Sequence, residues 1–284
     1  MAQALKKKGN EFFVKGDYVT AEDFYSQAIA ADSHDPTFFT NRAVTRIKLE
    51  KWQDVETDAR AAINLYDKKD PAALKSMGYL VEALIALGRP QEAHDVALPA
   101  YELSLDTKHA QAEKISGLVL RAKKALWEAR ETARLHDMDE TLKRLEDLIT
   151  AELARTEKEF AGRLERHELG ESEYQKGLKA TQADAQKQIE HVREVFRISS
   201  KGEVQERVVP DYLVDGITFE IMHDPVVTPS GTTYDRVGIV KYVEKSGVDP
   251  LTREPMTVKD LRPNYALKAA CEEFLSKNGW AVDW

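Results

Sequence analysis

Small residues recur on a fixed frame near the amino terminus. Gly9, Ala43 and, more loosely, Val81 are each followed twelve residues later by Ala21, Val55 and Ala93, and seven beyond that by Ala28, Ala62 and Ala100. The frame repeats after 34 residues and then after 38. The extra four fall in the stretch Asp67–Pro71, where Asp, Lys and Pro break the apolar pattern. Turn signals at Lys15-Gly16-Asp17 and Leu87-Gly88-Arg89 cut the repeats into helix-length halves. Small side chains let two helices approach closely, and a stack of such pairs buries what one pair leaves exposed. The spacing therefore predicts a solenoid of helix pairs. Three repeats are close to the minimum, so a capping helix is expected over His109–Trp127, with Ile115, Leu118, Val119, Ala122 and Leu126 on one stripe.

Composition narrows the function classes. The chain has 284 residues, 41 Lys+Arg against 49 Asp+Glu, and a net charge of −8. An acidic chain has no general field for nucleic acid or anionic lipid, so neither is expected as a partner. With 42% apolar and 32% charged residues it is too apolar for wholesale disorder. Its single cysteine, Cys271, excludes an intramolecular disulfide and a cysteine-rich zinc site. The most apolar stretch, Tyr79–Leu87, is interrupted by Glu82 and is shorter than the ~20 residues of a membrane span. The amino terminus lacks the apolar segment of a signal peptide, and the expected location is cytoplasmic, with the nucleus as a second site.

Residues 128–196 are highly charged and nearly free of proline. Leu135, Met138, Leu142, Leu145 and Ile149 recur in steps of three and four, and so do Tyr174, Leu178, Thr181, Ala185, Ile189, Val192 and Phe196. That spacing keeps a seam facing a partner helix. Gly170 and Ser172, the latter with Gln175 three residues on, read as a helix stop and a capping box. The segment is expected to form a long helical hairpin. Its stripes exceed what two helices bury, which points to a homodimer; a monomeric helical spacer is the alternative.

Composition shifts again from Pro210, with prolines at 225, 229, 250, 255 and 263. Val226–Thr228 and Thr232–Tyr234 flank Pro229-Ser230-Gly231 as a hairpin. Asp235 is placed to cap a helix over Val237–Lys245, and Asn264 to cap another through Lys277.

No residue pattern suits covalent catalysis. There is no phosphate-cradling glycine loop, no Gly-x-Ser-x-Gly and no His-Glu-x-x-His. His223 beside Asp224 lacks a nucleophile and reads as a loop hydrogen bond. Cys271, with Leu267 and Leu275 one turn away on either side, reads as a buried small hydrophobe. The repeats are more informative. Lys6 and Asn10 lie one turn apart on the first helix, and Asn41, Lys75 and Tyr79 take matching places on the first helices of the next repeats. Two ammonium groups and two carboxamides converging on a groove suit a peptide ending in carboxylates. The alternative is a set of ordinary solvated side chains.

The repeat frame is that of the tetratricopeptide family, and Lys6, Asn10, Asn41 and Lys75 resemble the carboxylate clamp of its chaperone-binding members. That resemblance implies binding of the carboxyl-terminal Glu-Glu-Val-Asp tail of heat-shock chaperones. Tyr79 stands where several such clamps carry Arg. The run Ile217-Thr218-Phe219-Glu220-Ile221-Met222, then Asp224-Pro225-Val226, Pro229 to Arg236, and Asp249-Pro250-Leu251-Thr252-Arg253 resembles a U-box, the RING architecture without zinc. Hydrogen bonds must then hold its loops, with Glu220, Ser230, Thr232, Asp235, Arg236, Asp249, Thr252 and Asn264 as candidates. The resemblance implies that Ile217, Phe219, Pro250, Arg253 and Pro255 form the site for a ubiquitin-conjugating enzyme (E2), with Arg253 holding the E2-bound ubiquitin in position. Core packing is the alternative for Ile217 and Phe219.

The expected fold is mainly α: a tetratricopeptide solenoid over 1–127, a coiled-coil-like helical hairpin over 128–198, a linker over 199–209, and a small α+β U-box over 210–284. The order of modules resembles chaperone-associated U-box ubiquitin ligases. It implies chaperone tail, E2, ubiquitin and misfolded clients as partners, with no cofactor or metal. The alternative is a non-enzymatic dimeric co-chaperone adaptor.

Overall fold

The computed structural model describes residues 1–67, 69–200 and 208–284. They form two compact units, Met1–Ala129 with Val209–Trp284, and Arg130–Val208. Most of the expected linker, residues 201–207, and Lys68 of the inter-repeat turn lie outside the described residues.

The first unit begins with three helix pairs: α1 (Ala2–Val14) and α2 (Tyr18–Ala31), α3 (Pro36–Lys48) and α4 (Trp52–Leu65), α5 (Leu74–Ala86) and α6 (Pro90–Asp106). Every position of the small-residue frame is buried. The closest approach is at Gly9, where a Cβ would stand 2.6 Å from a ring carbon of Tyr25. Asp17 and Asp35 cap α2 and α3 through the backbone N–H of Thr20 and Thr37. Asp58, 1% exposed at its side chain, accepts from Arg42 and Arg46, and Arg46 also reaches Glu22, so one charged network ties α2, α3 and α4.

The expected capping stripe is present, with Ile115, Leu118, Val119 and Ala122 buried against Leu74, Leu84 and Tyr101. The helix does not end at Trp127. It is α7 (Ala112–Glu165), 54 residues long, and it continues into the second unit. The sequence explains the difference. No glycine or proline falls between Gly117 and Gly162, and alanine, arginine, leucine and glutamate fill the interval with strong helix formers.

In the second unit α7 is joined by α8 (Glu171–Ser200). Arg193 bonds Glu146 and Gln182 bonds Glu157 across the pair. The capping box at Ser172 is not formed. Glu173 instead takes the Gly170 N–H at 3.3 Å, because the helix starts two residues earlier than that box requires, at Glu171. Leu148, Val195 and Ile198 remain exposed.

The carboxyl-terminal module, in the first unit, has strands β1 (Pro225–Val227), β2 (Thr233–Asp235) and β3 (Arg262–Pro263), and helices α9 (Arg236–Ser246) and α10 (Tyr265–Lys277). The antiparallel sheet runs β2-β1-β3, with Val226 opposite Tyr234 and Pro263. Asn264 caps α10 through the Leu267 N–H, as expected. Asp235 sits at the start of α9 without capping it, since its carboxylate is committed to the backbone N–H groups of His223 and Asp224. One apolar cluster of the module, with Leu213, Met222, Cys271 and Leu275, admits Leu120 of α7. Trp127 of α7 packs on Gly279 and donates to the Lys277 carbonyl at 3.0 Å.

Gly9→Ala tests the close approach that shapes the groove. Helix propensity alone favours alanine by about 1 kcal/mol. The rigid Tyr25 ring, bonded to Asn10, leaves no room, and overpacking costs about 1–3 kcal/mol. A lower midpoint in denaturant unfolding followed by circular dichroism is the expected outcome.

Candidate functional site

The first helix of each repeat contributes to one surface. Lys6 on α1 donates from Nζ to Thr37 Oγ1 on α3 at 2.7 Å and lies 5.7 Å from the centre of the Phe38 ring. Asn10 Oδ1 accepts from Tyr25 at 2.7 Å and from Asn41 Nδ2 at 3.1 Å. These bonds fix the amide of Asn10 and leave its NH2 as a donor. The oxygen of Asn41 is left as an acceptor. Lys6, Asn10 and Asn41 are thus brought together, as the sequence predicts. Thr40 and Ser76, both buried, bond at 2.8 Å and join α3 to α5.

Lys75 and Tyr79 lie on α5, one helix further along. Lys75 is exposed, and both line a small cavity of about 50 Å³ with Gln111 and Lys114 at the start of α7. Tyr79 is half-buried against Ala43, Val55 and Ala83. Burial, with Glu82 nearby, raises the pKa of its hydroxyl, so it stays neutral and supplies no charge. The sequence reading missed Lys114. Its residue type does not separate it from other exposed lysines; only the wall it shares with Lys75 does.

The carboxyl-terminal module carries two loops of the same construction. The first is Val214-Asp215-Gly216-Ile217-Thr218-Phe219-Glu220 and the second Val248-Asp249-Pro250-Leu251-Thr252-Arg253-Glu254. In each, a buried aspartate accepts from the backbone N–H groups two and three residues ahead: Asp215 from Ile217 and Thr218, Asp249 from Leu251 and Thr252. In each, the aspartate's own carbonyl accepts from the N–H four residues ahead, that of Phe219 or Arg253, at 2.9 Å. Both of these residues take φ of 61°. That left-handed backbone costs a non-glycine residue about 1–2 kcal/mol, and the surrounding bonds hold it in place.

The aspartates also tie the loops to the hairpin. Asp215 takes the Asp235 N–H at 3.0 Å, and Asp249 takes the Ser230 hydroxyl at 2.9 Å. Burial opposes the charged form of Asp249, but the bonds from Thr252, Leu251 and Ser230 outweigh it and hold its pKa below the ordinary carboxylate range. The expected network is therefore corrected in part. Ser230, Asp235, Asp249 and Asn264 belong to it. Glu220 and Thr232 enter through their carbonyls, and Asp215 and Thr228 are the side chains at work. The repeated Val-Asp-x-x-Thr-x-Glu was readable in the sequence and would have found Asp215.

The loops display the residues expected to meet a partner. Phe219 is 73% exposed and Leu251, not foreseen, 66%. Arg253 and Pro255 are exposed and Pro250 is half-buried. The Arg253 guanidinium has no partner among the described residues. Ile217 differs from expectation: it is half-buried, packed on the cluster of Val226, Tyr234, Ile239 and Met256.

His223 and Cys271 sit behind this surface. His223 does not bond Asp224, which instead accepts from Arg236 at 2.5 Å and from Tyr101 at 3.3 Å. The imidazole is buried with Nδ1 3.4 Å from Lys123 Nζ. Desolvation and that ammonium push its pKa down to about 3, so it is neutral. Cys271 is buried and its thiol is pushed up to about 11, as a packing residue.

Known proteins resemble parts of this chain, and one resembles it from end to end. The U-box domain family matches residues 209–280. The first TPR of Spaghetti (RPAP3) bound to the HSP90 peptide SRMEEVD is 31% identical, with a TM-score of 0.35 over 40% of this chain and 92% of that one. The E3 ubiquitin-protein ligase PUB24 of Arabidopsis thaliana is 42% identical over 77 residues, 27% of this chain but only 17% of that protein. The E3 ubiquitin-protein ligase CHIP of Arabidopsis thaliana is 32% identical over 291 residues, spanning 99% of this chain and 95% of the relative. On that end-to-end match, with helix pairs at one end and twin-loop module at the other, the chain belongs to the CHIP family of E3 ubiquitin-protein ligases.

Proposed function

We propose that the groove of the repeats holds the acidic carboxyl-terminal tail of a heat-shock chaperone while the U-box recruits a ubiquitin-charged E2. Ubiquitin then passes from the E2 to a lysine of the chaperone or of its misfolded client. The single observation that carries this reading is the pair of braced loops presenting Phe219 and Arg253 to solvent from a left-handed backbone. A large exposed ring on a rigid turn suits a partner's apolar loop. The Arg253 guanidinium, on the second loop, has all five donors available for the E2 and for ubiquitin.

The chemistry is positioning. The E2 thioester is already reactive, and holding ubiquitin against the E2 in one orientation raises the fraction of attack-ready complexes. A lysine ε-amine then attacks the thioester carbonyl, the E2 cysteine leaves as thiolate, and an isopeptide bond forms. No residue of this chain becomes acylated. At the other end, Lys6 and Lys75 supply charge, and the NH2 of Asn10 with the second N–H of Asn41 supplies directed donors for the carboxylates of the tail. Two copies pair through the exposed apolar residues of α7 and α8, including Leu148 and Ile198.

The two ends separate by mutation. Lys6→Ala is expected to weaken binding of a labelled SRMEEVD peptide by about tenfold or more, the loss of a charge-assisted bond, with autoubiquitination retained. Phe219→Ala is expected to lower E2-dependent ubiquitin transfer by about tenfold with tail affinity unchanged. Arg253→Ala is expected to slow discharge of a pre-loaded E2 more than it weakens E2 binding. Fluorescence polarisation and single-turnover discharge make these comparisons.

A reconstituted mixture of activating enzyme, E2, ubiquitin and ATP decides between ligase and adaptor. Polyubiquitin is expected, and pre-treating this protein with a zinc chelator is expected to leave the rate unchanged. An adaptor would give no product. Light scattering is expected to show a dimer, shifted toward monomer by Leu148→Glu paired with Ile198→Glu.

A further inference from the structure

Lys6 is tied into a relay that its role as a cation does not require. Its ammonium donates to Thr37 Oγ1 at 2.7 Å, and that hydroxyl donates in turn to Asp35 Oδ1 at 2.6 Å. Asp35 Oδ1 also accepts the Thr37 N–H at 2.8 Å, and Oδ2 accepts from Gln3 at 2.8 Å. The hydroxyl has one proton, and it goes to Asp35, so its lone pair is turned toward Lys6. Lys6 is thereby held in place, with two of its three N–H groups left for a ligand. Lys6 and Asp35 make no direct ion pair. They meet through the hydroxyl.

The negative charge of Asp35 exceeds what the local fold needs. Its structural task is to cap α3, and asparagine or serine caps as well as aspartate. Burial opposes the charged form of Asp35, but the bonds from Thr37 and Gln3 and the nearby Lys6 outweigh it and hold the pKa below the ordinary range. A full negative charge therefore stands beside the place where a carboxylate is to be received.

We propose that Asp35 sets the affinity of the groove for acidic tails by opposing, through Thr37, the attraction of Lys6. This deepens the tail-binding reading and rests on it. A tail carboxylate bonded to Lys6 feels the ammonium and, just behind it, a like charge. One carboxylate at Lys6 then binds weakly, and a tail must also engage Lys75 to be held. The consequence is selection for tails with acidic groups at two separated points.

Asp35→Asn keeps the cap and the acceptor for the Thr37 hydroxyl while removing the charge; its NH2 then faces Gln3, whose amide must turn to present its oxygen. Binding of labelled SRMEEVD to the full chain is expected to tighten about three- to tenfold at low ionic strength, the scale of one screened like-charge contact. The gain should shrink as salt is added and vanish in a Lys6→Met background. Damage to the fold cannot produce tighter binding, and Asp35→Ser, a second neutral cap, should reproduce the gain. Unchanged or weaker binding by both variants, with melting curves matching the parent, overturns the proposal. So does a gain that persists with Lys6→Met. If Lys6→Met alone binds SRMEEVD as well as the parent, the tail-binding reading itself has failed, and that result is separate from the outcome at Asp35.

Discussion

A carboxylate buried against backbone N–H groups is the interaction on which the carboxyl-terminal module depends. With one cysteine in the chain, thiolates are not available to cross-brace its loops. Asp215 and Asp249 fill that structural place. Each closes its own turn and reaches outward to the hairpin, one to the Asp235 N–H and the other to the Ser230 hydroxyl. A buried carboxylate without such donors would be strongly unfavourable, so the bonds are as directional and as demanding as metal ligation. Their result is a pair of left-handed residues, Phe219 and Arg253, held at the same place in two turns of the same construction.

The repeats solve a different problem with packing. Small residues bring the helices together, and the surface their first helices form then depends on fractions of an ångström. Gly9 lets Tyr25 lie against α1, and the Tyr25 hydroxyl orients Asn10, which in turn accepts from Asn41. A residue with no side chain thus decides where a carboxamide points. The ammonium of Lys6 is fixed by a comparable chain through Thr37. Groups arranged before a ligand arrives lose less entropy when it binds.

The repeat domain and the U-box also share a core within one unit. Leu120 and Trp127 of α7 enter the U-box side, while Ile115 and Leu118 of the same helix complete the repeat core. Tyr101 bonds Asp224 across the junction. The expected break at Trp127 failed for a local reason that was visible, the lack of any helix stop. The sharing of a core was not visible. Leu120 falls beside the capping stripe, and nothing in its spacing tells a solvent-facing position from one covered by a segment 90 residues away.

Periodicity and punctuation determined the solenoid, the helical pair and the hairpin, because helix-packing frames and turn residues are local properties of the chain. They also placed Lys6, Asn10, Asn41 and Lys75 on the first helices of the repeats, since a residue's place on a repeat fixes the face it occupies. Chain folding decided what those patterns leave open: that Ile217 turns half inward while Phe219 and Leu251 stand free, that His223 is sealed beside Lys123, and that Asp224 serves Tyr101 and Arg236. Burial and hydrogen-bond partners are set by segments far apart in sequence, and only when those segments meet does a polar side chain acquire its role.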